Sequence, residues 1–449
     1  MGKPILGHLL RCSFLDVPQG VRLRRSALHT ASTSASQMVV LFRHGPLIPL
    51  FEPSKAISDL PPYLFVRLVE LKRVAKNQGK DIIDLGMGNP DLPTAPHIIS
   101  ALHDSSRDSL THRYPPNKGT SEFLEAVSIF YKRRFNVTVD PTSEVLALIG
   151  SKEGLGHIFF AITNPGDTVI IPSPAYPAHT NAPYLSRTKP YWAVLEEKNN
   201  FLVDFAGIPE KVLRKAKLMI LNYPNNPTGA VIEDKNYLKE ALRLAKKHGF
   251  LLIYDNAYSE ITFDGYRAPS ILEFPDAKKY AVEFNSLSKT YSMAGWRLGY
   301  VLGNAKVIKF LEKFKSFLDY GAPAFTQHAG VIALKGGGEE HVAKVYEKRR
   351  DVLVEALAAY ANWDVPKPKG SMYLWAKLPK EFSRSTSLKF AEKLLLDTGV
   401  CVSPGTGFGA GGEGFVRIAL VDCEERLREA AQRIGTFLKS PKKQPARLP

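Results

Sequence analysis

The chain has 449 residues, 44% hydrophobic and 23% charged, ordinary proportions for a folded enzyme and enough length for two sizeable lobes. The three cysteines, Cys12, Cys401 and Cys423, have neither disulfide-scaffold nor zinc-site spacing, so no metal is expected, and no stretch approaches the roughly 20 apolar residues of a membrane span. The net charge of +16 raises nucleic acid as a partner, but the charge is spread along the chain and enriched at its ends, with no added helix-turn-helix segment, so no nucleic-acid partner is expected.

Residues 1–50 hold six Lys/Arg and a single acid, Asp16. Their run RLRRSALHTASTSAS is Arg-rich, Ser/Thr/Ala-rich and acid-free, the composition of an organellar transit peptide; the alternative is a plain disordered extension. The expectation is a mitochondrial protein, with a plastid as the alternative, or a cytoplasmic one if the segment is not a transit peptide. The other end, residues 439–449, is basic and Pro-rich and reads as a disordered tail.

Between about 55 and 438 there is no internal repeat and no long linker. Apolar runs end in turn residues and give way to helical patterns: SEVLALIG leads into SKEGLGHIFFAI, then come DTVIIPSPAYP, AKLMILNYPNNPTG followed by NYLKEALRLAKKHG, FLLIYDNAY and YAVEFNSLSKT. Short buried strands alternating with helices predict an α/β protein with a mainly parallel sheet. Ligands of such sheets gather at the C-terminal ends of the strands.

Each apolar run is followed by a polar or aromatic group. Ser151 and Lys152 follow the first and Tyr176 the second; Asn225 and Asn226 follow the third, Asp255 and Tyr258 the fourth, and Lys289 the last. Taken singly these are weak signals, since a strand-end Asp is often a helix cap and NPTG is often only a turn. Five in register point to one shared site. The segment SLSKTYSMAGWRLGY then places Lys289 beside Ser286 and Ser288 and ahead of Arg297, company that suits a lysine working next to a bound phosphate.

NPTG, DNAY and SLSKTYSMAGWRLGY, in this order and spacing, resemble the class I/II pyridoxal-phosphate aminotransferases of fold type I. DLPPYLF, IIDLGMGNPD, GSKEGLGH, SMYLWAKLP and CVSPGTGFG are similar to the bacterial-type alanine aminotransferase branch, near the LL-diaminopimelate aminotransferases. The resemblance implies a large cofactor domain over 100–335 and a smaller α/β domain built from 55–99 and 336–438. It also implies a set of roles. Lys289 forms a Schiff base with pyridoxal 5'-phosphate and carries the substrate proton. Asp255 pairs with the pyridine nitrogen, Tyr258 and Asn226 reach the 3'-oxygen, and Tyr176 stacks on the ring. Ser151, Lys152, Ser286, Ser288 and Arg297 take the phosphate, the first two through backbone amides at a helix start. Tyr114 reaches the phosphate of a neighbouring subunit, which implies a homodimer with shared sites. Arg417 forks the substrate carboxylate, Gly88 lies against it, and Tyr63 reaches substrate or packs in the core.

The resemblance further implies amino-group transfer between an L-amino acid and a 2-oxo acid. Alanine with 2-oxoglutarate is the expected pair. The alternatives are LL-diaminopimelate, a methionine or aromatic substrate, and a β-lyase or cyclopropane-forming reaction on the same fold.

Overall fold

The computed structural model describes residues 51–61, 64–337 and 339–439. The transit-peptide segment, Tyr63 and nearly all of the basic tail lie outside the described residues. Strand β1 (Ile83–Asp84) is short and pairs elsewhere; the large sheet begins with β2 (Val145–Leu148). It continues through β3 (Thr168–Ser173), β4 (Lys189–Val194), β5 (Ala216–Asn222), β6 (Leu251–Asp255), β7 (Ala281–Ser286) and β8 (Gly299–Gly303), in the spatial order β2-β8-β7-β6-β5-β3-β4. Only β8 opposes its neighbours: it is antiparallel to both β2 and β7, and the β7-β6-β5-β3-β4 pairs are all parallel. The expectation of a mainly parallel sheet holds. β4 and β8 were not singled out in the sequence.

Both faces of this sheet are covered, which is why its strands read as continuous apolar runs. Val145 and Ala147 of β2 join the core on one face with Met219, Leu221 and Tyr254. Leu146 and Leu148 join the other with Ile220, Ile253 and Phe284. The helices Ser151–Ile162 and Asn236–His248 form where helical patterns were expected. The second closes at Gly249, whose φ of 74° is the left-handed cap that ends many helices.

A second sheet is antiparallel and runs β11-β12-β9, from β9 (Tyr373–Lys377), β11 (Ser403–Pro404) and β12 (Phe415–Ala419); β1 pairs in parallel with β10 (Val400–Cys401). A separate core packs around them, drawing on Ile83, Leu374, Ile418 and the helices Glu339–Ala361 and Glu424–Lys439. The loop after β6 joins this core through Tyr258, Ile261 and Phe263. Asp264 then binds the buried Arg350 by a two-point ion pair at 2.6 and 2.9 Å. Among the described residues no helix is long and apolar enough to cross a membrane.

Candidate active site

The C-terminal ends of β2, β3, β5, β6 and β7 converge on one cavity of about 230 Å³. Twelve of the residues singled out in the sequence line it: Gly88, Ser151, Lys152, Tyr176, Asn226, Asp255, Tyr258, Ser286, Ser288, Lys289, Arg297 and Arg417. Tyr114 does not line it. It is 86% exposed, and its ring packs 5.1 Å from that of Tyr320.

One side of the cavity suits a phosphate. The helix Ser151–Ile162 starts at Gly150 with no side-chain cap, so the N–H groups of Ser151 and Lys152 and the positive dipole end suit an anion. Gly150 has φ 74°, and a Cβ there would lie 2.4 Å from Arg297 Nη2; glycine lets the guanidinium cross the helix start. Arg297 is exposed and is held by the carbonyls of Ala294 (2.9 Å) and Ile149 (3.4 Å). Ser286 caps the short helix Leu287–Thr290, its Oγ accepting from the Ser288 N–H at 3.1 Å.

The middle suits a flat heterocycle with a protonated nitrogen. Asp255, the last residue of β6, is buried; its Oδ2 accepts from His179 Nε2 at 3.0 Å, and its Oδ1 is buried with no partner. A buried carboxylate oxygen left unpaired is costly unless a ligand N–H completes it. Tyr176 stands at the start of the helix Pro177–Ser186, beside His179. Across the cavity Lys289 Nζ donates to the Gly88 carbonyl at 3.0 Å. Burial lowers the Lys289 pKa below that of an ordinary lysine, and Arg417 and Arg297 push the same way. That favours the neutral, nucleophilic amine.

The far side is built around Arg417. Its Nη1 donates to Asn226 Oδ1 at 2.9 Å and its Nη2 to the Gly86 carbonyl at 3.0 Å. The guanidinium is sandwiched between the rings of Tyr373 and Phe408, 4.1 and 4.6 Å from their centroids. Such a buried, oriented fork is matched to a carboxylate. The cavity also takes in Tyr373, Asn222 and Met87, and His179 supports Asp255 from behind; the sequence reading missed these. His179 had one available signal: it falls one helical turn after Tyr176, on the same face.

This fold and this site define a transaminase of the pyridoxal-phosphate type. The family model for class I and II aminotransferases matches residues 80–434, and the chain belongs to that family. The LL-diaminopimelate aminotransferase of Moorella thermoacetica is 44% identical over 389 residues, covering 86% of this chain and 98% of the relative. That of Dehalococcoides mccartyi is 44% identical over 386 residues, with the same coverage. Among solved structures, substrate-bound BacF from Bacillus subtilis is similar with a TM-score of 0.82 at 40% identity, over 86% of this chain and 98% of that one. A probable N-succinyldiaminopimelate aminotransferase from Thermus thermophilus gives 0.78 at 41%, over 83% and 99%.

The cofactor is therefore pyridoxal 5'-phosphate, as the motifs implied, and the substrates are amino acids and 2-oxo acids. Two expectations are corrected. The pairing of alanine with 2-oxoglutarate gains no support, because these relatives are named for LL-diaminopimelate, the alternative. The mitochondrial location is overturned: these relatives are enzymes of bacteria, which have no mitochondria.

Proposed function

We propose that this chain is an LL-diaminopimelate aminotransferase that works as a homodimer. Pyridoxal phosphate, when bound, supplies an aldehyde for amines and a ring that draws electrons from the substrate α-carbon. In this reading Lys289 Nζ would hold the cofactor at its aldehyde and move the α-proton, a double task suited to an amine whose burial favours the neutral form. Asp255 Oδ1, which has no partner in the protein, would take the ring N–H. Tyr258 and Asn226 face the 3'-oxygen and Tyr176 covers one ring face. The helix start at Ser151 and Lys152, with Ser286, Ser288 and Arg297, takes the phosphate. Arg417 orients the α-carboxylate, with Gly88 beside it.

The dimer reading is supported by Tyr114 and its surroundings. Tyr114 and Phe317 are each 86% exposed, and Leu318 and Tyr320 nearby are exposed as well. Large apolar groups clustered this way fit an interface between subunits.

The observation that carries the substrate reading is the 44% identity to LL-diaminopimelate aminotransferases along 98% of their length. It is tested by comparing kcat/KM for LL-diaminopimelate, its N-succinyl derivative, alanine, aspartate and phenylalanine against several 2-oxo acids. LL-diaminopimelate should lead by at least about tenfold, a transition-state difference near 1.4 kcal/mol. A lead for alanine or for the succinylated compound would refute the assignment while leaving the transaminase class intact.

A further inference from the structure

Tyr373 lies in SMYLW at the start of β9 and is 2% exposed. Its hydroxyl is 3.1 Å from the Tyr258 hydroxyl, and its ring lies against the Arg417 guanidinium. A Cβ on Gly88 would sit 2.2 Å from Tyr373 Oη, so the phenol reaches the cavity only because that residue is glycine. The same Gly88 accepts from Lys289 Nζ through its carbonyl. Tyr373 thus joins the residue set for the ring oxygen, the residue set for the carboxylate and the lysine.

A phenol has one hydrogen to give. Between Tyr258 and Tyr373 only one can donate, and the choice decides where the Tyr258 hydrogen points. The titratable or charged groups facing Tyr373 are Tyr258, Arg417 and Lys289, with Tyr346 further off. Burial alone would raise the Tyr373 pKa, but the Arg417 guanidinium and the bond to Tyr258 bring it below that of an ordinary tyrosine. Tyr258 is held well above the ordinary value by burial and then by Tyr373 itself. The more acidic hydroxyl is the better donor. Asn226 Oδ1 is taken by Arg417, so its Nδ2, 3.5 Å from the Tyr258 oxygen, donates to it; with Tyr373 donating as well, both lone pairs of that oxygen are used and its hydrogen turns inward.

We infer that Tyr373 is a positioning residue whose hydroxyl donates to Tyr258, sending the Tyr258 hydrogen into the cavity towards the cofactor's ring oxygen, while its ring pins Arg417. This rests on the roles given above to Tyr258, Arg417 and Lys289. The two tasks are separable: Tyr373→Phe removes the donor and keeps the ring, and Tyr373→Leu removes both.

The test uses the cofactor-loaded enzyme and follows its visible absorption band through a pH titration. An oxygen that receives a weaker hydrogen bond holds negative charge less well, so the cofactor-linked nitrogen of Lys289 keeps its proton to higher pH. In Tyr373→Phe the Tyr258 hydroxyl loses the donor that polarises it, so its bond to the ring oxygen weakens without being lost, and the midpoint should rise by about 0.2–0.5 pH unit. Its KM for the amino substrate should stay within about twofold, and in Tyr373→Leu it should rise by about tenfold as the stacked face of Arg417 is lost. Melting curves of the cofactor-free variants confirm that they fold. A midpoint in Tyr373→Phe that is unmoved or lowered would overturn the inference, as would equal KM values in the two variants. A wild-type enzyme without the band, or a Lys289→Ala variant with the wild-type band and titration, would instead overturn the underlying site assignment.

Discussion

His179 Nε2 lies 3.0 Å from Asp255 Oδ2, both side chains are buried, and the second oxygen of Asp255, a residue that lines the cavity, is buried without a partner. The histidine holds the carboxylate by one oxygen and leaves the other aimed at a ligand N–H. In His179→Leu the buried carboxylate loses the one side-chain donor it has among the described residues and is no longer held in place. Cofactor affinity should fall by about tenfold, near 1.4 kcal/mol, in the range of one charge-assisted bond. Fluorescence titration of the cofactor-free enzyme with pyridoxal phosphate measures this. Wild-type affinity in the variant would mean that Asp255 is positioned by its strand alone.

The strand ends were legible because each polar group follows an apolar run within a few residues, and local order is what a sequence displays. Asp255, Asn226 and Lys289 are all of this kind. Tyr373 and His179 are not. Tyr373 sits inside an apolar run on β9, where it reads as core, and its contact with Tyr258 spans 115 positions. His179 lies within a helix and meets Asp255 76 residues on. The reversed direction of β8 was hidden for the same reason, since its pairing with β2 and β7 is set by packing across the sheet. Gly88 and Arg417 became readable only through the family motif.

The proposal of shared sites makes a sharp prediction for mixed dimers. If Tyr114 serves the partner's site and Arg417 its own, a dimer of Tyr114→Phe with Arg417→Ala has one site carrying both lesions and one carrying neither. Random exchange makes half the dimers mixed, so activity should recover to about a quarter of wild type above the weak parental levels. Assays before and after subunit exchange decide it. No recovery, with exchange confirmed by mass, would place Tyr114 in its own subunit's site or in none.

Glu283 on β7 gives a pH dependence that has nothing to do with turnover. It is fully buried and accepts from Tyr131, Asn256, Ser270 and the Ile271 N–H. Burial pushes its carboxyl up to about 7 despite those bonds, which pull the other way. The folded state then binds the proton more tightly than the unfolded chain, whose Glu titrates near 4.3. Its contribution is fully present below about 4.3 and is lost as pH rises through about 7, a total of about 3–4 kcal/mol. Glu283→Gln cannot titrate, and it turns an amide donor towards two of those four donors, so it should be less stable throughout. The gap between wild type and variant, from urea unfolding, should narrow as pH rises across that window. A constant gap would show that Glu283 keeps one protonation state there.

Lys315 ties the helix Ser151–Ile162 to its neighbour. Its ammonium is fully buried, 3.0 Å from Glu153 Oε1 on the helix Ser151–Ile162 and 3.0 Å from Asp319 Oδ1 just past the helix Ala305–Leu318. His157 Nδ1 completes the cluster, 2.6 Å from Glu153 and 3.5 Å from Asp319. Glu153, His157 and Asp319 converge closely enough to hold an ion, but Lys315 already supplies the positive charge between the two carboxylates. A chelator should therefore leave Tm unchanged. Lys315→Met has similar length and removes only the charge, leaving two carboxylates to face each other in a poorly solvated gap. It should cost about 3–5 kcal/mol, the usual penalty for taking one partner from a buried ion pair. Glu153 also accepts from the Ile149 N–H at 2.9 Å, two residues before Ser151, so the loss should loosen the helix start and weaken cofactor binding as well. Adding Glu153→Gln to Lys315→Met removes one of the opposed charges and should recover part of the stability. If the double variant is no more stable than Lys315→Met alone, the ammonium acts through packing and not through its charge.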